Sequence, residues 1–122
     1  MQNWINAPKD IKPYFGFVYL ITNLKNGRRY IGKKQFFTTK KGKRNKESNW
    51  KSYFGSCNEL NREICKYGIN SFKREILSLE TSRWELTYKE LEEQVKRDVL
   101  RDKTYYNGII RVRLPAFGKK RK

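Results

Sequence analysis

The stretch Phe15–Thr22, FGFVYLIT, followed by Asn26-Gly27 and then Arg28–Lys33, RRYIGK, decides how the chain is read. FGFVYLIT is aromatic and β-branched and apolar at odd and even positions alike, the pattern of a central strand buried on both faces. Asn-Gly is a strong hairpin signal, because both central positions of a type I′ turn need positive φ. Arg28–Lys33 then pairs antiparallel. With a two-residue turn, Lys34 stands opposite Tyr19 and Tyr30 opposite Asn23. The two phenols share a face but lie about 13 Å apart along the sheet, at ~3.3 Å per residue. Gly32, inside the second strand, offers the bend or close backbone approach that would bring them together. Both tyrosines also fit a plain role as core aromatics.

Downstream, Lys34–Trp50 (KQFFTTKKGKRNKESNW) is polar and basic with little periodicity, and reads as an ordered loop or a short helix around 40–49. Ser56 can cap a helix whose first turn carries Asn58 and Glu59, with Leu60, Ile64 and Cys65 or Tyr67 as its buried stripe and Gly68 at its end. Asn70–Leu79 reads as a third strand. Thr81–Leu100 reads as a long helix with Tyr88, Leu91, Val95 and Val99 at helical spacing. The order is ββαβα, an α+β fold with a small three-stranded antiparallel sheet flanked by helices. An N-terminal arm (1–13) precedes the domain (14–110), and a basic tail (111–122) follows it.

The 122 residues carry 29 Lys and Arg against 12 Asp and Glu, a formal charge of +17. A chain of this size builds one core, and with 37% hydrophobic residues it is too apolar for a disordered tail. Cations interleave with aromatics at Lys33, Lys34, Phe36, Phe37, Lys40, Lys41, Lys43, Arg44, Trp50, Lys51 and Tyr53. That suits phosphate contacts and base stacking better than a membrane surface, since no long helix carries Lys on one face and Leu or Trp on the other. Trp50 and Tyr53 fit equally a packed lid over the sheet, and the terminal GKKRK adds either phosphate affinity or only a solvated end. There is no histidine, which excludes His-based zinc sites, catalytic triads and imidazole bases. Cys57 and Cys65 match no metal knuckle and read as reduced thiols. With no signal peptide or membrane span in view, the expected setting is soluble and cytoplasmic.

Glu92 lies four residues after Tyr88 and three before Val95, so it interrupts the apolar stripe of the long helix, with Glu90 and Glu93 to its sides. A carboxylate facing a core needs a salt bridge or a metal. Either a neighbouring Lys or Arg pairs with it, or it binds a cation beneath a phosphate-binding surface.

Phe17-Val18-Tyr19 and Tyr30-Ile31-Gly32, with ten residues between the tyrosines, resemble the paired signature segments of GIY-YIG nucleases. A basic stretch, a helix ending in KYG, a strand with Phe72, Ile76 and Leu77, a Glu on the next helix and Tyr106-Asn107 follow in order, so the resemblance spans Gly16–Ile110. Phe17 stands where the family name has Gly. The resemblance implies a metal-dependent DNA endonuclease, of the stand-alone phage or mobile-element kind, acting in a bacterial host cell if phage-encoded. Tyr19 and Tyr30 would sit beside the scissile phosphate, Glu92 would hold Mg²⁺ or Mn²⁺, and Asn107 would support the site. An arginine is expected after YIG, where Arg44 is the only one, with Lys33, Lys34 and Lys40 as competing cations. Tyr53 would stand in for the His often found in this family. Lys41, Lys43, Trp50, Lys51 and Tyr53 join Lys33 and Lys40 as nucleic-acid contacts. The partner would be double-stranded DNA, with dimerisation on it open. A tyrosine would serve as base, helped by nearby cations that favour phenolate; Tyr19, opposite Lys34, is first choice and Tyr30 second. The rival reading is a non-enzymatic RNA- or DNA-binding domain.

Overall fold

In the computed structural model, which describes residues 3–118, the strands are β1 (Gly16–Asn23), β2 (Arg29–Gln35), β3 (Phe37–Lys40), β4 (Lys43–Glu47) and β5 (Phe72–Glu80). The helices are α1 (Asn58–Tyr67) and α2 (Arg83–Lys96). The main sheet is antiparallel, ordered β2-β1-β5. β1 is therefore central. Phe17, Tyr19 and Ile21 pack with Phe36, Trp50, Leu60, Phe72 and Ile76 on one face, while Val18 and Leu20 meet Ile31, Leu86 and Val99 on the other. That division explains why FGFVYLIT is apolar at both parities.

The hairpin register differs from the expected one by two residues. Tyr19 pairs with Gly32, Phe17 with Lys34 and Ile21 with Tyr30. Asn23 Oδ1 accepts from the Lys25 amide, and the Gly27 amide donates to the Asn23 carbonyl, so the turn is longer than Asn26-Gly27. Only Gly27 there has positive φ. A shift of two keeps every side chain on its face, so Tyr19 and Tyr30 still share one.

The 34–50 stretch is neither loop nor helix. It forms a second hairpin, β3–β4, around Lys41-Gly42, whose φ values of 53° and 76° suit the two central positions of a primed turn. Alternation is absent from its sequence because β4 is exposed along its whole length.

Cys57 rather than Ser56 occupies the N-cap of α1, without a side-chain cap bond; Leu60 is buried and the helix ends at Gly68 as read. α2 begins at Ser82, whose hydroxyl accepts from the Glu85 amide, and stops at Lys96, shorter than the 81–100 expected. Asp98, at φ 54°, breaks the helix. Val99 therefore reaches the core from a turn, and the stripe that counted it was out of phase. Tyr88 and Val95 are exposed, whereas Leu86, Glu93 and Gln94 are buried.

The first residues also contribute. Trp4 lies in the core and its indole donates to the Trp50 carbonyl, and Ile5 makes a parallel bridge to Glu75 beside β5. The phosphate affinity expected of GKKRK falls on residues 119–122, outside those described. No helix among the described residues is long and apolar enough to cross a membrane, and both cysteines are unbridged.

Candidate active site

Gly32 is the device that gathers the phenols. A Cβ on it would lie 2.3 Å from the Tyr19 hydroxyl, so only glycine lets that ring lean across β2. Tyr19 then comes within 6.2 Å of Tyr30 and 6.1 Å of Tyr53, ring centre to ring centre. No large bend is needed.

Beside this cluster is a cleft of about 440 Å³. Tyr30, Ser56, Cys57, Glu90, Gln94 and Asn107 line it. Asn107 holds one wall in register: its Nδ2 donates to the Ile31 carbonyl at 2.8 Å and its Oδ1 accepts from the Ile31 amide at 3.1 Å. Tyr106 is pinned beneath by Glu63 and Asn23, and burial together with Glu63 pushes its pKa up to about 12.

Burial dominates the electrostatics. It raises Tyr19 well above the ordinary phenol value, with the neighbouring Tyr53 and Tyr30 adding to the shift. It raises Tyr30 as well, opposed by Ser56. The expectation that cations would push Tyr19 down is thus reversed, since Lys34 lies over the Tyr53 ring at 4.2 Å instead of facing Tyr19, and burial lowers the lysine's own pKa. Burial likewise raises Glu90, opposed by Lys33.

Glu92 is not core-facing. Its side chain is 47% exposed and accepts from Lys89 Nζ at 2.8 Å, which lowers its pKa. The carboxylate that α2 turns toward the phenols is Glu90, one helical turn beyond buried Leu86. Sequence reading missed it by assigning the sheet-facing side to Tyr88 and Val95. The available signal was that Leu86, Glu90, Glu93 and Gln94 share one phase.

Arg44 stays away from the cleft. It donates to the Lys12 and Tyr14 carbonyls at 2.8 and 3.1 Å and lies over Phe37. Lys33 donates to Thr87 at 3.0 Å and, with Lys34, lines a neighbouring groove that also holds Arg83. Lys40, Lys41 and Lys43 are exposed at the β3–β4 tip. Trp50 is only 5% exposed, packed against Phe17 and Phe36, and so is a core residue with no face free for a base. Lys51 is exposed near Glu47, and Tyr53 is half-buried against Tyr19.

The donor set facing the cleft is rich in oxygen, and the described residues hold no group of three His, Cys, Asp or Glu side chains able to fix a metal alone. Glu90 nevertheless fits a hard divalent cation, being a desolvated carboxylate that makes no ion pair among the described residues. Mg²⁺ is commonly held by one or two carboxylates, with substrate phosphate and water completing its shell.

A tyrosine pair over a glycine, a half-buried glutamate and an asparagine bracing the YIG strand define the class. The chain belongs to the GIY-YIG family: the family model described as "Putative endonuclease segE, GIY-YIG domain" matches residues 2–110. Among curated proteins it is similar to one from Enterobacteria phage T4 named "Putative endonuclease segE", with 37% identity over 93 residues, 76% of this chain and 40% of that protein. No solved structure matches it.

Proposed function

We propose that this chain is a divalent-metal-dependent DNA endonuclease that hydrolyses phosphodiester bonds in the Tyr30–Glu90 cleft. The observation that carries the reading is Glu90 itself, a carboxylate turned toward two phenols, desolvated and in no ion pair among the described residues. Glu90 would hold Mg²⁺ or Mn²⁺, which when bound supplies positive charge to the phosphate oxygens and the departing 3′ oxygen. Tyr30 lines the cleft and is the general base in preference to Tyr19, which is 1% exposed. Tyr19 fixes the Tyr30 ring from below. Asn107 keeps β2 in place, and Lys33 and Lys34 meet phosphates alongside. Lys40, Lys41 and Lys43 on the exposed hairpin extend that contact to the flanking backbone. The working unit is residues 14–110 with the arm, since Trp4 completes the core. Family membership and a phage relative support double-stranded DNA in a bacterial cytoplasm as the setting. One cleft cuts one strand, so a double-strand break takes two events or two copies.

The test is conversion of supercoiled plasmid to open circle. Nicking with Mg²⁺ or Mn²⁺ that chelator stops is the expected result. Tight binding without nicking under any divalent ion would assign the chain to non-enzymatic nucleic-acid binders.

A further inference from the structure

The rim of the cleft carries a cation that the roles above leave unused. Arg111 lines the cleft with Gly108 and Ile109. It is exposed, and among the described residues it makes no hydrogen bond, ion pair or ring contact. Five other arginines are engaged: Arg28 with Glu59, Arg29 with Asp102, Arg44 with two carbonyls, Arg97 with Glu93 and Arg101 with Asp98. Arg62 and Arg113, which like Arg111 make no such bond among the described residues, do not line the cleft.

The backbone around Arg111 is fastened on both sides. Four residues before it, Asn107 clamps Ile31 in both directions. Four residues after it, the Trp84 indole at the start of α2 donates to the Pro115 carbonyl at 2.9 Å, and Phe117 packs edge-on against the same indole at 4.8 Å. A strap tied to β2 at one end and α2 at the other sets residue 111 on the rim of the cleft.

We propose that Arg111 contacts the non-bridging oxygens of the scissile phosphate, as a phosphate-binding residue of the reaction. This rests on the cleavage reading of the same cleft. Glu90 alone would repel a phosphodiester, so a cleft that admits one needs positive charge on its rim. Guanidinium supplies it in a planar fork that matches two phosphate oxygens at once, which an ammonium does not. Lys33 and Lys34 face the neighbouring groove, and among the described residues Arg111 is the cation that lines the cleft itself.

The experiment measures single-turnover nicking of supercoiled plasmid at saturating protein, and DNA affinity without divalent ions, for wild type and four variants. Arg111→Gln should cut roughly 10²-fold more slowly, the scale for losing one charge-stabilising donor, with affinity changed by less than about 3-fold, near the effect of one phosphate contact between moderate salts. Arg111→Lys should recover part of the rate, which a merely structural loss would not allow. Arg101→Gln removes the same charge outside the cleft and should cut like wild type. Glu90→Gln separates the two claims. If it is inactive while Arg111→Gln cuts at the wild-type rate, or loses affinity without loss of rate, the assignment of Arg111 is overturned and the cleavage reading stands. If Glu90→Gln cuts normally, or wild type does not cut, the reading of the cleft fails and the assignment of Arg111 fails with it.

Discussion

Glu90 carries opposite consequences for activity and for stability. Its pKa is raised in the folded protein by burial. A raised carboxyl pKa favours the folded state below the ordinary carboxylate range, and that contribution is lost as pH rises through the folded value, so at neutral pH the ionised group weighs against folding. Glu90→Gln should therefore raise the melting temperature in chelator at pH 7, on the order of a few degrees, while removing activity. Saturating Mg²⁺ or Mn²⁺ should raise the melting temperature of wild type, by about 2.7 kcal/mol of stability at 100 times the dissociation constant, and leave that of Glu90→Gln unmoved. Calorimetry in both conditions checks the pair. Tyr30 gives the second residue-level expectation. Because burial raises its pKa and no histidine is present, the rate should climb into the alkaline range without a break near pH 6 to 7. Tyr30→Phe should lose roughly 10²-fold or more of the rate and flatten that climb. Tyr19→Phe should retain the alkaline slope.

The elements were legible in the sequence to different degrees, for reasons set by what they bury. β1 is enclosed on both faces, so its pattern was unambiguous, and a two-residue slip at the turn left Tyr19 and Tyr30 on one face because strand periodicity is two. β3 and β4 bury little, so hydrophobic pattern carried no signal for them, and the informative positions were Lys41-Gly42. α2 misled in the opposite way. Its exposed side carries Trp84 stacked on Tyr88 at 5.0 Å, with Val95 beyond, while its sheet side carries the polar Glu90, Glu93 and Gln94. A helix that places a carboxylate over a site looks inverted to a reading that equates apolar with inward, and Glu92 was chosen over Glu90 for that reason. Gly32 was singled out correctly as a place of close approach. Gly32→Ala should destabilise the fold by ~1–3 kcal/mol through overpacking against the Tyr19 ring, measurable as a lower denaturant midpoint, and should depress cleavage by pushing Tyr19 toward Tyr30.

Across the whole molecule, most carboxylates are taken up in ion pairs, as in Arg28 with Glu59 and Glu63 or Arg97 with Glu93, yet the excess of +17 remains. If that excess meets about six phosphates, DNA affinity should fall by roughly 10³-fold between 50 and 200 mM salt, as fluorescence anisotropy would show, and replacing Lys40, Lys41 and Lys43 with Gln should flatten the slope. A flat salt dependence would mean that the charge does not form the binding surface. The account depends most on where α2 places its acid. Nicking of supercoiled plasmid in Mg²⁺ by Glu90→Gln and Glu92→Gln, side by side, tests this most directly: the first should be inactive with DNA binding retained and the second should cut like wild type, whereas an active Glu90→Gln beside an inactive Glu92→Gln would contradict it.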